Sequence, residues 1–194
     1  EGIPSVVADD GAAMRDAALH LIGLGHRSFF YIAGPAGNHH ETVRSAGVAE
    51  AVSAAGLPDA AVLRHGGGHS FQDGFGCGID AARAWLALPR RPTAAIACWD
   101  DAAIAFMATV RSQGVAVPGD LSVIGFDGAP VGAFCEPPLS TVRQPTASLG
   151  AKTAEVLLQL LDGDAADVAL KTTLPTSCCC GPARPPRSAA AARG

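Results

Sequence analysis

The stretch "PTAAIACWDDAAIAFMATVRSQGVAVPGDLSVIGFDG", residues 92–128, decides the fold. It opens on an apolar run, 93–98, that suits a strand covered on both faces. A helical stretch follows, with Asp100 as its expected cap and its end before Gly114. A second apolar run, 121–126, closes the unit, and a carboxylate, Asp127, stands directly after it. Strand, helix and strand in this order imply a parallel sheet in an α/β fold. Ligands in such folds gather at the carboxyl ends of strands, so Asp127 stands where a binding carboxylate belongs.

The same alternation extends in both directions. Further strands are expected at 5–8, 29–34, 61–66 and 168–174. A helix capped by Asp10 runs to Leu24 and stops at Gly25, with Met14, Ala17, Leu21 and Leu24 as its buried stripe. Others are expected at 41–55, stopped by Gly56, and at about 71–86. A last one starts near Pro145 and carries Leu149, Val156, Leu157, Leu160 and Leu161 on one side. Before it, "PPLSTVRQP" (137–145) reads as stiff, irregular chain. The end from Pro182 onward is of low complexity and is expected to be disordered.

Composition narrows the function. The net charge is −4 with two lysines, Lys152 and Lys171, and no basic stripe, so this chain alone is a poor nucleic-acid binder. No apolar run approaches a bilayer span, and a soluble protein is expected. The chain starts without methionine or a signal peptide and reads as a piece of something longer. Cys77, Cys98 and Cys135 are isolated in apolar surroundings, as core residues are. Cys178, Cys179 and Cys180 are consecutive and cannot supply the spaced ligands of a zinc site. The adjacent His39 and His40 read as solvated loop histidines near a cleft mouth. No metal or cofactor is expected. Neither a nucleophile elbow nor a phosphate loop is present, and no catalytic constellation points to an enzyme.

Five stretches in order and spacing resemble the lactose-repressor/galactose-repressor family of bacterial transcription regulators: "IPSVVADD", "HLIGLGHRSFFYIAGP", "VRSAGVAEAVSAAGL", the 92–128 stretch, and "PPLSTVRQPTASLG". The resemblance implies a two-lobed fold like that of periplasmic sugar-binding proteins (type I), with parallel sheets flanked by helices and an incomplete first lobe. Residues 1–26 and 143–164 fall in the first lobe, 27–142 and 165–180 in the second, and 181–194 form the tail. "PPLSTVRQP" becomes a crossover between lobes. It further implies a cytoplasmic homodimer that binds a sugar or polyol, with operator DNA reached only through a helix-turn-helix that this chain lacks. After "LPT" the family pattern breaks at "SCCCG". Codons for Glu-Leu-Leu-Leu-Arg read one base out of frame give that run, so a frame slip and a true cysteine-rich end both stand.

The resemblance also implies an effector site. Asp10 matches a carboxylate that lines the cleft, a role compatible with capping a helix. Arg44 matches an effector-contacting arginine, whose planar fork of donors suits hydroxyl or carboxylate oxygens; a solvated surface arginine is the plainer reading. Asp127 matches the carboxylate that grips the effector and can accept from two adjacent hydroxyls; otherwise it is a turn residue before Gly128. Trp99 stands where the family has an amide, so an indole fills the pocket or stacks on a sugar face there. Asp100 beside it reads as a helix cap. His69 falls where relatives place an aromatic wall, or is a loop histidine. Two other readings are a periplasmic sugar-binding protein of a transport system and a sugar hydrolase using Asp10 and Asp127.

Overall fold

A computed structural model describes residues 3–66, 68, 73–162 and 168–179. Its larger unit is a six-stranded sheet. The strands are β2 (Phe29–Ala33), β3 (Val62–Gly66), β4 (Ala94–Ala97), β5 (Ser122–Asp127), β6 (Ser140–Arg143) and β8 (Ser177–Cys179), in the spatial order β3-β2-β4-β5-β6-β8. All neighbours run parallel except β6 and β8. Helices α1 (Asp10–Gly23), α2 (His39–Ala54), α3 (Gly74–Leu86) and α4 (Asp100–Ser112) cover it. The smaller unit pairs β1 (Ser5–Ala8) in parallel with β7 (Lys171–Leu174), and α5 (Thr146–Leu161) packs on β1.

The apolar runs form strands because both faces of the large sheet are covered. Phe29, Ile32, Ile96, Leu121, Ile124 and Phe126 are fully buried with Met14 and Leu21 of α1 and Phe106 of α4. The helices pair off through glycines. A Cβ on Gly47 of α2 would stand 2.2 Å from the Gly11 carbonyl oxygen of α1, and one on Gly78 of α3 2.3 Å from that of Ala102 in α4. Only hydrogen fits at these crossings.

Several expectations change. "PPLSTVRQP" is not irregular throughout, because its centre is β6, in register with β5 from Ile124↔Ser140 to Asp127↔Arg143. Ser140, Thr141 and Val142 are buried, and the prolines lie outside the strand, where no ladder N–H is lost. Helix α1 was expected beside β1; it packs on α2 over the large sheet instead, because its stripe of Ala13, Met14, Ala17 and Leu21 finds cover there. Strand β7, expected with the large sheet, pairs with β1. The helix caps shift by one residue. Asp9 caps α1 by accepting from the Ala12 N–H, and Trp99 is the cap position of α4. On α5 only Val156 is buried, while Leu157 and Leu161 are exposed. His69, the first residues of the helix expected at 71–86, and the 181–194 tail lie outside the described residues.

Candidate functional site

The carboxyl ends of β4, β5 and β6 converge with the first turns of α2 and α4 on one cavity of about 540 Å³, lined by His40, Arg44, Trp99, Asp100, Asp101, Asp127, Ala129 and Gln144. Strand β2 is flanked by β3 on one side and β4 on the other, so the chain reverses its winding beside this cavity. A crevice opens at such a switch point because the connections leave the sheet in opposite directions.

Asp127 is the last residue of β5 and adopts φ 121°, a left-handed-side conformation unusual for a residue with a side chain. Its Oδ1 accepts from the Gln144 amide at 2.9 Å and lies 3.8 Å from Nη2 of Arg44. Burial raises its pKa, opposed by the Gln144 bond and then by the Arg44 charge. Even so, its side chain remains 43% exposed, open to the cavity.

Arg44 is almost fully buried, and its fork is engaged within the protein. Nε and Nη2 donate to Asp10 Oδ2 at 2.9 and 2.8 Å, Nη1 donates to the Cys98 carbonyl, and the guanidinium lies 3.7 Å over the Phe126 ring. Asp10, 3% exposed, also meets Nδ1 of His40 at 3.1 Å. Asp10 therefore sits behind Arg44 and borders an adjoining hollow that also holds Val7, His39 and Thr173. A buried carboxylate with two donors of one guanidinium is a strong ion pair, and each partner fixes the other's position.

Trp99 fills a slot between two glycines. A Cβ on Gly34 or Gly74 would stand 2.5 Å from its Cζ3 or its Nε1, respectively. Asp100 is buried and serves as a tether rather than a cap. It accepts from the Ala129 N–H and the Thr141 hydroxyl, both at 2.6 Å, and so ties α4 to the segment after β5 and to β6. Burial pushes its carboxyl up to about 6, with those two hydrogen bonds opposing the shift.

Of the five expected site residues, Arg44, Trp99 and Asp127 line one cavity, Asp10 supports it from behind, and His69 lies outside the described residues. Sequence reasoning missed Gln144 and Asp101, and left His40 as a solvated loop histidine. His40 is in fact the second residue of α2 and faces Asp10. The available signal for Gln144 was its place just before Pro145, where the chain leaves a strand's carboxyl end. Among the described residues no cluster of three or more metal-ligating side chains occurs, and no helix is long and apolar enough to cross a membrane.

Comparison with known proteins gives the family. The periplasmic binding protein-like domain family matches residues 18–181. The HTH-type transcriptional repressor CytR of Escherichia coli (strain K12) is 32% identical over 161 residues, 83% of this chain and 46% of its own length. This chain thus spans about half the length of the curated relatives it matches. A LacI-family regulatory protein from Chloroflexus aggregans superposes with a TM-score of 0.78 at 35% identity, over 89% of this chain and 60% of that one. The regulator CelR in complex with cellobiose superposes at 0.81 with 29% identity, over 92% and 53%. The chain belongs to the periplasmic binding protein-like domain family, in the branch formed by the LacI-type transcription regulators.

Proposed function

We propose that this chain is the effector-sensing part of a LacI-type regulator, and that a sugar or related polyol binds in the cavity at Asp127. One observation carries the reading: a half-open carboxylate, held by Gln144 and Arg44, stands at a strand's carboxyl end over a cavity of about 540 Å³. An ionised carboxylate accepts from two adjacent hydroxyls, and this pattern is what a sugar offers. The likeness to a regulator solved with cellobiose supports the ligand class.

In this reading β1, β7 and α5 belong to a first lobe and the six-stranded sheet forms the second. Ligand closes one lobe on the other, and the equilibrium moves only by the ligand's differential affinity for the two arrangements. The change passes to a helix-turn-helix elsewhere in the protein, in a cytoplasmic homodimer. Val131 and Phe134, 52% and 88% exposed beside β6, offer apolar surface for such pairing. The chain binds without turnover, as a sensor does.

The test joins two assays on the full-length protein. A thermal-shift screen over mono- and disaccharides finds the ligand, and a gel-shift titration then measures DNA affinity with and without it. The reading expects a stabilising sugar that changes DNA affinity at least several-fold. A sugar that binds and leaves DNA affinity unchanged contradicts it.

A further inference from the structure

We infer that the cavity selects an uncharged or amine-bearing ligand and rejects anionic ones such as sugar phosphates and uronates; this deepens the effector reading above and rests on it. Three carboxylates, Asp100, Asp101 and Asp127, line the cavity, and among the described lining residues Arg44 is the one permanent cation. That cation is already committed. Its Nε and Nη2 bind Asp10, its Nη1 binds the Cys98 carbonyl, and its face rests on Phe126. The Asp10–Arg44 pair is neutral as a unit, so Arg44 offers an anionic ligand little net charge.

Three further sources of positive potential at this cavity are likewise used, and Lys171 opens onto the adjoining hollow instead. His40 faces Asp10 at 3.1 Å. The amino end of α4 carries Asp100 and Asp101 in its first turn, and these oppose its own helix dipole. The amino end of α2 is occupied by Asn38, whose side chain accepts from the N–H groups of His40 and Glu41. What remains toward the open volume is Asp127, 43% exposed, and Asp101, also exposed, beside the amide of Gln144. These groups accept hydrogen bonds from hydroxyl or ammonium groups and repel a phosphate or carboxylate. Like charges brought together in a partly desolvated cleft are a strong basis for discrimination.

Two arms test this in the full-length protein. In the first, calorimetry compares matched ligands: ribose with ribose 5-phosphate, glucose with glucose 6-phosphate, glucuronate and glucosamine, and galactose with galacturonate. Each anionic member is expected to bind about tenfold or more weakly than its neutral or amino counterpart, and Asp101→Asn is expected to narrow that ratio. An anionic member that binds as tightly as its counterpart overturns the inference. The second arm needs no ligand. Quenching of the Trp99 fluorescence, taken as the difference between the parent and Trp99→Phe, is compared for iodide and caesium, each scaled to free N-acetyltryptophanamide. Stronger scaled quenching by caesium supports a negative cavity; equal quenching, or stronger quenching by iodide, overturns it. If no sugar of the panel binds while caesium still quenches the more strongly, the charge inference stands and the sugar-effector reading fails.

Discussion

Arg44 shows how a motif position and a physical role can diverge. The sequence places an arginine at the start of a helix, and the resemblance offers its fork to a ligand. The structure turns the fork inward, onto Asp10 and the Cys98 carbonyl. Its contribution is to hold Asp10 and to stand 3.8 Å behind Asp127. Removing it leaves a carboxylate buried without its counter-charge, so Arg44→Ala is expected to destabilise the fold by about 3–5 kcal/mol in urea denaturation. Asp10→Asn on that background should recover part of the loss, since the stranded charge is then gone. Asp100 makes a pH prediction. Its folded pKa, about 6, lies above the 3.8 of a free aspartate. The folded state therefore holds this proton the more tightly. The stability this brings is fully present below the unfolded value and is lost as pH rises through about 6. The stability of Asp100→Asn relative to the parent should accordingly grow between pH 5 and pH 7, read from denaturation midpoints at both. The position of Asp127 was legible from its place after an apolar strand, and that of Trp99 only through the family resemblance. The tether role of Asp100 was not, because Thr141 and Ala129 are distant in sequence and meet it only once β6 has paired with β5.

At the scale of elements, continuous apolar runs were the readable signal. Runs such as "FFYIA" and "SVIGF" form buried central strands, and β2 is buried at every residue. Strand β6 was hidden because its prolines suggested irregular chain, although Ser140, Thr141 and Val142 suit a strand. Strand β8 was hidden for another reason: "SCC" has no period, and its pairing with β6 is a tertiary choice. The stop signals at Gly25 and Gly56 held, with φ 98° and 67°. The caps moved because Asp9 and Asp10 are adjacent and periodicity cannot choose between them. The helix crossings supply the prediction at this scale. Gly47→Ala places a methyl 2.2 Å from a backbone oxygen of α1, which neither helix can yield cheaply. It should cost about 2 kcal/mol or more. Gly150→Ala in α5, with nothing within 4 Å of the new methyl, should gain about 0.5–1 kcal/mol from helix propensity. Paired urea titrations of the two variants check the contrast.

Across the whole molecule, the two sheets differ in how well they are covered. The core cluster gathers β2, β4, β5 and β6 with α1 to α4, whereas α5 buries only Val156 and exposes Leu157, Leu158 and Leu161. Local opening is easiest where few apolar contacts hold an element. Hydrogen exchange on this chain is thus expected to run fastest in β1, α5 and β7 and slowest in β2, β4 and β5; uniform protection would contradict that picture. The α/β class and the order of elements could be read from the sequence, but the allotment of α1 and β7 could not, because it depends on which apolar face finds cover. One titration tests whether the cavity at the carboxyl ends of β4, β5 and β6 holds the ligand. The full-length parent and Asp127→Asn are compared by calorimetry with the sugar that the thermal-shift screen identifies. Asn keeps the shape and one acceptor but loses the charge, so binding should weaken by about 1–2 kcal/mol, with DNA affinity in the absence of sugar unchanged. Equal sugar affinity in the two proteins would show that the carboxylate ending β5 does not hold the ligand.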